Sequence, residues 1–312
     1  MIAGHNKQWQ YLKNSAASGR LAHGLLFSGE KQLGKKKIAI EFVKFLFCES
    51  KNKPCGECRN CRDIEKGSHP DLAQLDSDGG EIQVSALRNL IWKMSLKPYS
   101  APFKAAIINS AHLMNFEAQN CFLKTLEEPK GNIFLILISE YPDLILPTIL
   151  SRTQKIKFFP IKKELIKEYL VKRGAEDKKA KYFASISLGR PGRAIEVFLN
   201  EEKLKSQERF VEDIKKINNS DLALKFKYAK SLAGEIENSP GLKLSDIFEI
   251  WLGYFRSIFL DSLAGEKTGE IERAQAIGKT KKSILAIQNI NYLVSTTNIN
   301  TKLALEILLL DI

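Results

Sequence analysis

The sequence predicts an α/β protein in which a parallel sheet with crossover helices fills the first half and helices alone fill the second. Three observations lead there. Short apolar runs alternate with helix-period stretches up to about residue 159. One of those runs enters a glycine loop and then a helix. After Pro160 the strand-like runs stop and Lys- and Glu-rich helical patterns take over.

Taken in chain order, Leu25-Leu26-Phe27 reads as a buried strand. It runs into the loop Gly29 to Gly34 and then into a helix whose apolar positions Ile38, Ala39, Phe42, Val43, Leu46 and Phe47 recur at helical spacing. Further strands are expected at Ala105 to Asn109, Ile133 to Ser139 and Lys155 to Phe159. A helix is expected from Asn115 to Glu128, stopped by Pro129 and Gly131. Beyond Pro160 a small helical segment is interrupted by the turn Gly189-Arg190-Pro191-Gly192, and a charged stretch, Asn200 to Ser206, leads into a longer helical part. There Ile247, Ile250, Trp251, Tyr254, Phe255, Ile258 and Phe259 form a core-type stripe, with Asp246 and Glu249 placed like a capping box. The boundaries that follow are 1–159, 160–203 and 204–312.

Composition narrows the function classes. The 312 residues are 44% apolar and 27% charged, enough for a real core. No run approaches the roughly 20 apolar residues that span a bilayer, and MIAGHNKQWQ lacks the apolar stretch of a signal peptide. The expectation is a cytoplasmic protein without a membrane partner. The net charge of +12 is spread over both halves rather than gathered in a basic arm, which fits weak contact with DNA backbone and fits solvated helix faces equally well.

The loop is a degenerate phosphate-binding motif. Where such a loop reads G-x-x-x-x-G-K-[ST], this chain has Gly29 to Gly34, then Lys35 and Lys36. Lys35 stands where a lysine reaches terminal phosphates, but Lys36 replaces the hydroxyl that holds magnesium. The strand that should end in two acids ends in Asn109 and Ser110. Three losses at one site predict that the chain does not hydrolyse ATP. Gly29, Gly34 and Lys35 are read first as a strand-to-helix turn kept for folding, with residual phosphate or nucleotide binding as the open alternative.

Cys48, Cys55, Cys58 and Cys61 lie in CESKNKPCGECRNC. Two successive Cys-x-x-Cys steps bring three thiolates to one ion, and a fourth at the end of the preceding helix closes a tetrahedron. The polar surroundings offer no apolar core for free thiols. A closed four-thiolate set predicts structural zinc. Cys121 reads as a small core residue; His69 is a spare ligand at most, and His23 and His112 are read as structural.

Together these motifs resemble the clamp-loader branch of the AAA+ proteins, and within it the delta-prime-type subunits. HGLLFSG, the four-cysteine insert, SHPDL, NCFLKTLEEP, ILSRTQKIKF, LGRPGRA and NINTKLALEILLLDI occur in the family's order. The resemblance implies an AAA+ (RecA-like) parallel-sheet domain with a zinc insert, a small helical lid domain and a C-terminal all-helical collar domain. It implies a catalytically inactive member of the bacterial DNA polymerase III clamp loader, with gamma/tau and delta subunits, the beta sliding clamp and primed DNA as partners. The family's Ser-Arg-Cys motif falls on Ser151, Arg152 and Thr153, with Thr153 in place of cysteine. The resemblance makes Arg152 an arginine finger offered to a neighbour's ATP. Arg193 sits where sensor-two arginines occur and is read as a lid-packing residue.

Two other readings compete. The gamma/tau motor subunits share the cysteines and the Ser-Arg motif, so an ATP-hydrolysing motor is the first. A zinc-dependent nucleic-acid binder is the second. Between Cys48 and Cys61 there are basic residues but no aromatic one on which a base could stack, which counts against it.

Overall fold

A computed structural model describes residues 4–77, 80–129, 131–218, 220–239, 241–264, 270–297 and 299–312. The chain divides into two compact units, Met1–Ile195 and Glu196–Ile312.

The first unit is built on five parallel strands: β1 (Gly24–Ser28), β2 (Leu72–Leu75), β3 (Lys104–Ile108), β4 (Ile133–Ser139) and β5 (Gln154–Lys157), in the order β2-β3-β4-β1-β5. β1, β3 and β4 are buried along their whole length, as expected of strands covered on both faces. Successive side chains alternate between two cores. Leu25, Phe27, Ile107 and Ile136 pack with helices α1 (Asn6–Ala17), α2 (Lys35–Phe47) and α3 (Arg59–Glu65) through Leu12, Phe42, Phe47 and Ile64. Leu26, Ala106, Ile108 and Leu137 pack with α4 (Val84–Ser95), α5 (Phe116–Glu127) and α6 (Pro147–Leu150) through Leu87, Leu90, Phe122, Leu126 and Ile149. Asn115 caps α5 by accepting from the Ala118 N–H at 2.8 Å.

Helices α7 (Lys163–Val171) and α8 (Asp177–Ile186) complete this unit, and α9 (Pro191–Leu199) runs across the unit boundary. The second unit also contains α10 (Glu201–Ile217), α11 (Leu222–Asn238), α12 (Leu244–Ala264), α13 (Glu270–Thr296) and α14 (Thr301–Asp311). Its core gathers Phe210, Leu232, Ile247, Phe248, Trp251, Phe255, Ile287, Leu305 and Leu308. The Trp251 indole N–H is satisfied by the Phe210 carbonyl at 3.0 Å.

Several expectations need correction. β3 stops at Ile108 and β5 at Lys157, one and two residues short of the expected ends. The charged stretch Asn200 to Ser206 belongs to the helical part rather than leading into it: Asn200 caps α10, accepting from the N–H groups of Glu202 and Lys203, and the residues after it form the first helical turns. α12 begins at Leu244, so Asp246 lies inside its first turn and is not the cap.

Asp71 joins several of these elements. Its carboxylate is fully buried and accepts the N–H groups of Tyr99, Ser100 and Ala101 at 2.7, 2.7 and 2.9 Å, while Lys104 pairs with it at 3.0 Å. Burial alone would raise its pKa, but these donors hold it below the usual carboxylate range. A carboxylate whose folded pKa is depressed contributes stability that is complete above its unfolded pKa and is lost as pH falls through the folded value. Asp71→Asn should therefore cost about 3 kcal/mol at pH 7, because it leaves a buried lysine unpaired. The difference from wild type should shrink as the pH drops below the ordinary 3.8. Urea unfolding across that range measures both.

Candidate functional site

The loop after β1 is a glycine-rich strand-to-helix turn. Gly29 has φ 145°, and a Cβ there would lie 2.4 Å from the Phe158 carbonyl oxygen. Gly34, at φ 90°, precedes α2, whose N-terminal N–H groups face a cavity of about 250 Å³. Lys31, Lys35, Lys36, Lys37, Asn109, Ser110 and Glu140 contribute to its walls. The Gly192 N–H of α9 donates to the Gln32 carbonyl at 2.8 Å, which closes one side.

The lysines of this loop are engaged by the chain itself. Lys35, buried, donates to the carbonyl oxygens of Gly29 and Glu30. Burial brings its pKa down from 10.5 to about 8, with Glu140 and Glu30 partly offsetting the shift. The ammonium of Lys36 lies 2.7 Å from Asp76, just past the end of β2. A lysine thus occupies the place of the magnesium-holding hydroxyl and pairs with an acid beyond β2. Asn109 and Ser110 line the cavity beyond β3, as their sequence positions imply. Glu140, just past β4, is an acid of this cavity that sequence reasoning missed; it lies more than 25 positions from either half of the motif. Among the described lining residues Arg193 does not appear. It is buried, whereas the neighbouring Arg190 comes within 4.0 Å of Glu30.

The four cysteines converge. Cys48 ends α2, Cys55 follows in the insert, Cys58 caps α3 and Cys61 lies in its first turn. Their sulfurs all lie within 4.8 Å of one another, with Cys48–Cys55 at 3.6 Å and Cys48–Cys58 at 4.0 Å. Four thiolates at the usual zinc–sulfur distance would stand about 3.8 Å apart, so the set fits a tetrahedral ion. Backbone N–H groups of Cys58 and Glu57 point at the Cys55 sulfur from 3.3 and 3.4 Å, lowering its pKa to about 6. His69 is not a spare ligand. Its Nδ1 accepts from the Asp71 N–H at 3.1 Å, leaving Nε2 to donate to Asn60 Oδ1 at 3.2 Å.

The remaining histidines have partners too. His23 Nε2 bonds the Leu126 carbonyl at 3.1 Å, and His112 Nδ1 meets the Ser139 hydroxyl at 3.4 Å. Burial and nearby Lys35 hold His112 at about 4, so it is neutral at pH 7. Cys121 is half-buried against the α4–α5 core.

Ser151 and Arg152 follow α6, just before β5. Arg152 is 39% exposed and pairs with Glu127 at 2.8 Å; its Nη1 donates to the Thr148 carbonyl at 3.1 Å and the Ser151 hydroxyl at 3.2 Å. Because Gln154 is level with Leu25, Arg152 stands at the starting end of β1, while the glycine loop leaves the finishing end. The strand between them is about 16 Å long at the usual rise.

The strand order, the loop after β1, the helices on both faces and the cysteine insert define an AAA+ (RecA-like) nucleotide-binding fold. A family model described as DNA polymerase III, delta subunit, matches residues 4–162, and the chain belongs to that family as a clamp-loader protein of the delta-prime type. It is 35% identical to the DNA polymerase III subunit delta-prime of Bacillus subtilis (strain 168) over 204 residues, 64% of this chain and 61% of that protein. With the delta-prime subunit of Pseudomonas aeruginosa it shares 35% over 150 residues, 46% of each chain. With the Escherichia coli K12 tau subunit it shares 33% over 171 residues, 54% of this chain and 26% of that one. The matches thus span less than two thirds of these relatives. A gamma-subunit-related protein of Thermotoga maritima covers 96% of this chain, and is itself 97% covered, at 18% identity and a TM-score of 0.48. Among the described residues no helix is long and apolar enough to cross a membrane.

The depressed pKa of Lys35 makes a signed prediction. Below pH 8 both folded and unfolded chains carry its proton; between 8 and 10.5 only the unfolded chain does, so stability contributed at this residue rises with pH. Relative to Lys35→Met, the wild-type protein should gain roughly 3 kcal/mol of unfolding free energy over that interval. Urea titrations at stepped pH read the gain directly.

Proposed function

We propose that this chain is the non-hydrolysing delta-prime-type subunit of a bacterial replicative clamp loader. It helps assemble the loader with gamma/tau and delta subunits, and it offers Arg152 to the ATP of a neighbouring subunit while the beta clamp is placed on primed DNA. One observation carries the trans assignment. Arg152 stands a full strand length from its own glycine loop, so a phosphate held by that loop is out of its reach, and in this reading the phosphate it meets is held by a neighbouring chain. Its exposure and the adjacent Ser151 hydroxyl, which accepts one of its N–H groups, suit a guanidinium presented at an edge.

The reading of inactivity rests on Lys36, engaged with Asp76, and on Asn109 and Ser110, which offer neither a second magnesium ligand nor a group to hold attacking water. In this reading residues 160–203 form the lid and 204–312 the collar that meets other subunits. The cysteine set holds structural zinc: with four thiolates it leaves no coordination position for a substrate.

Arg152→Ala should leave the subunit folded and assembled while lowering the DNA- and clamp-stimulated ATPase of the reconstituted loader several-fold, and Lys at 152 should restore little because it lacks the planar fork. The isolated wild-type chain should release no phosphate from magnesium-ATP. A mutant loader that hydrolyses ATP and loads clamps at the unmutated rate refutes the trans role. For the metal, elemental analysis should find close to one zinc per chain, and Cys58→Ser should lower both zinc content and melting temperature; metal-free protein purified without chelator refutes the zinc assignment.

A further inference from the structure

Arg152 is held in place by two kinds of partner. The Thr148 carbonyl and the Ser151 hydroxyl, both from α6 or the turn that follows it, take hydrogen bonds from Nη1. They fix the direction of the side chain without altering its charge. Glu127 takes Nη2 at 2.8 Å and supplies a full negative charge. It comes from α5, 25 positions away in sequence, and ends that helix. That is an unfavourable place for an acid, because the last carbonyls of a helix carry partial negative charge and Glu128 follows immediately. Helix stability therefore does not account for a carboxylate at 127; contact with a cation does.

We infer that Glu127 is a stand-in for the neighbour's phosphate: a positioning residue that holds Arg152 and masks its charge until a triphosphate in the adjoining subunit displaces it. The inference rests on the trans role of Arg152. The pair is suited to exchange, since both side chains are accessible, at 39% and 47% exposed, and such exposed pairs are worth at most about 1 kcal/mol. A phosphate oxygen makes a charge-assisted bond of the same geometry and carries more charge, so the guanidinium passes from carboxylate to phosphate at little cost. While the pair persists, the arginine presents a neutralised fork to the subunit boundary. Whatever free energy holds the pair is subtracted from what the arginine contributes to the neighbour's transition state. Glu127 thus damps hydrolysis in rings where the boundary is not tightly closed.

The test uses the complete loader reconstituted with Glu127→Gln, Arg152→Ala and the double variant, after a check that each subunit keeps the wild-type melting temperature. Glutamine is isosteric and leaves the Thr148 and Ser151 bonds intact, so orientation is retained while the masking charge is removed. The expected result is a rise of up to about fivefold in the ATPase measured without clamp or DNA. The apparent KM for ATP should fall, and the stimulated rate should change little, so that the ratio of stimulated to basal rate drops. In the Arg152→Ala background, Glu127→Gln should have no effect, since there is nothing to unmask. If Arg152→Ala lowers the stimulated rate but Glu127→Gln leaves the basal rate unchanged or reduces it, the masking role is wrong and the trans arginine stands. If Glu127→Gln acts equally with and without Arg152, Glu127 works through some other group and the inference falls. If Arg152→Ala changes nothing, the trans reading itself fails and this inference fails with it.

Discussion

The buried carboxylate of Asp71 is the constraint around which the sheet-bearing unit is arranged. A lone charge with no solvent exposure would cost several kcal/mol, and here it is compensated by three backbone N–H groups and one ammonium. Those donors belong to residues 99–101 and to the first residue of β3, while Asp71 itself leads into β2. Its backbone also matters: the Ala105 N–H donates to its carbonyl at 2.8 Å, setting the register of β2 on β3, and its own N–H donates to His69. His69 in turn bonds Asn60, whose amide reaches the Phe47 carbonyl and Glu49 beside the cysteine cluster. One ionised group thereby ties the cysteine insert, the edge of the sheet and the chain between α4 and β3 into a single hydrogen-bonded set.

What the sequence revealed and what it withheld follow from the range of the interactions. β1, β3 and β4 were legible because strands covered on both faces read as unbroken apolar runs, and α2 and α5 were legible from helical spacing. β2 was not anticipated. It is an edge strand of four residues, LAQL, only partly buried, and carries neither an apolar run nor a clean alternation. The cysteine cluster was legible because its ligands are local. The partners of the key cations were not: Asp76 is 40 positions from Lys36, and Glu127 is 25 from Arg152. The His and Asp of SHPDL act on residues contributed by other segments, which their local sequence does not reveal.

In the glycine loop the backbone and the side chains answer to separate constraints. Gly29 is required by the approach of the Phe158 carbonyl, which depends on where β5 lies beside β1 and not on any ligand. Gly34 supplies the positive φ at which α2 begins. The backbone of the motif is thus maintained by folding alone. The side chains answer to different demands, and their charges are satisfied internally: Lys35 by the loop's own carbonyl groups, Lys36 by Asp76. A lysine kept in a buried site that lowers its pKa is not kept for stability at neutral pH, because its charged form is the one that burial penalises.

The two ends of β1 serve separate purposes, and the parallel sheet is the reason they can diverge. Loops at the finishing ends of β1, β3 and β4 converge on the cavity, so the demands its residues answer to are confined to that end. The segment that carries Ser151 and Arg152 enters β5 at the opposite end, where its surroundings are Glu127, Thr148, Thr153 and the approach of Gly24. Among the described residues none is shared between the two sets. The contacts that hold Arg152 thus involve different residues from those that line the cavity. The separation also explains why the degenerate loop and the intact Ser-Arg pair occur together in one domain: each is held by a different end of the same five strands.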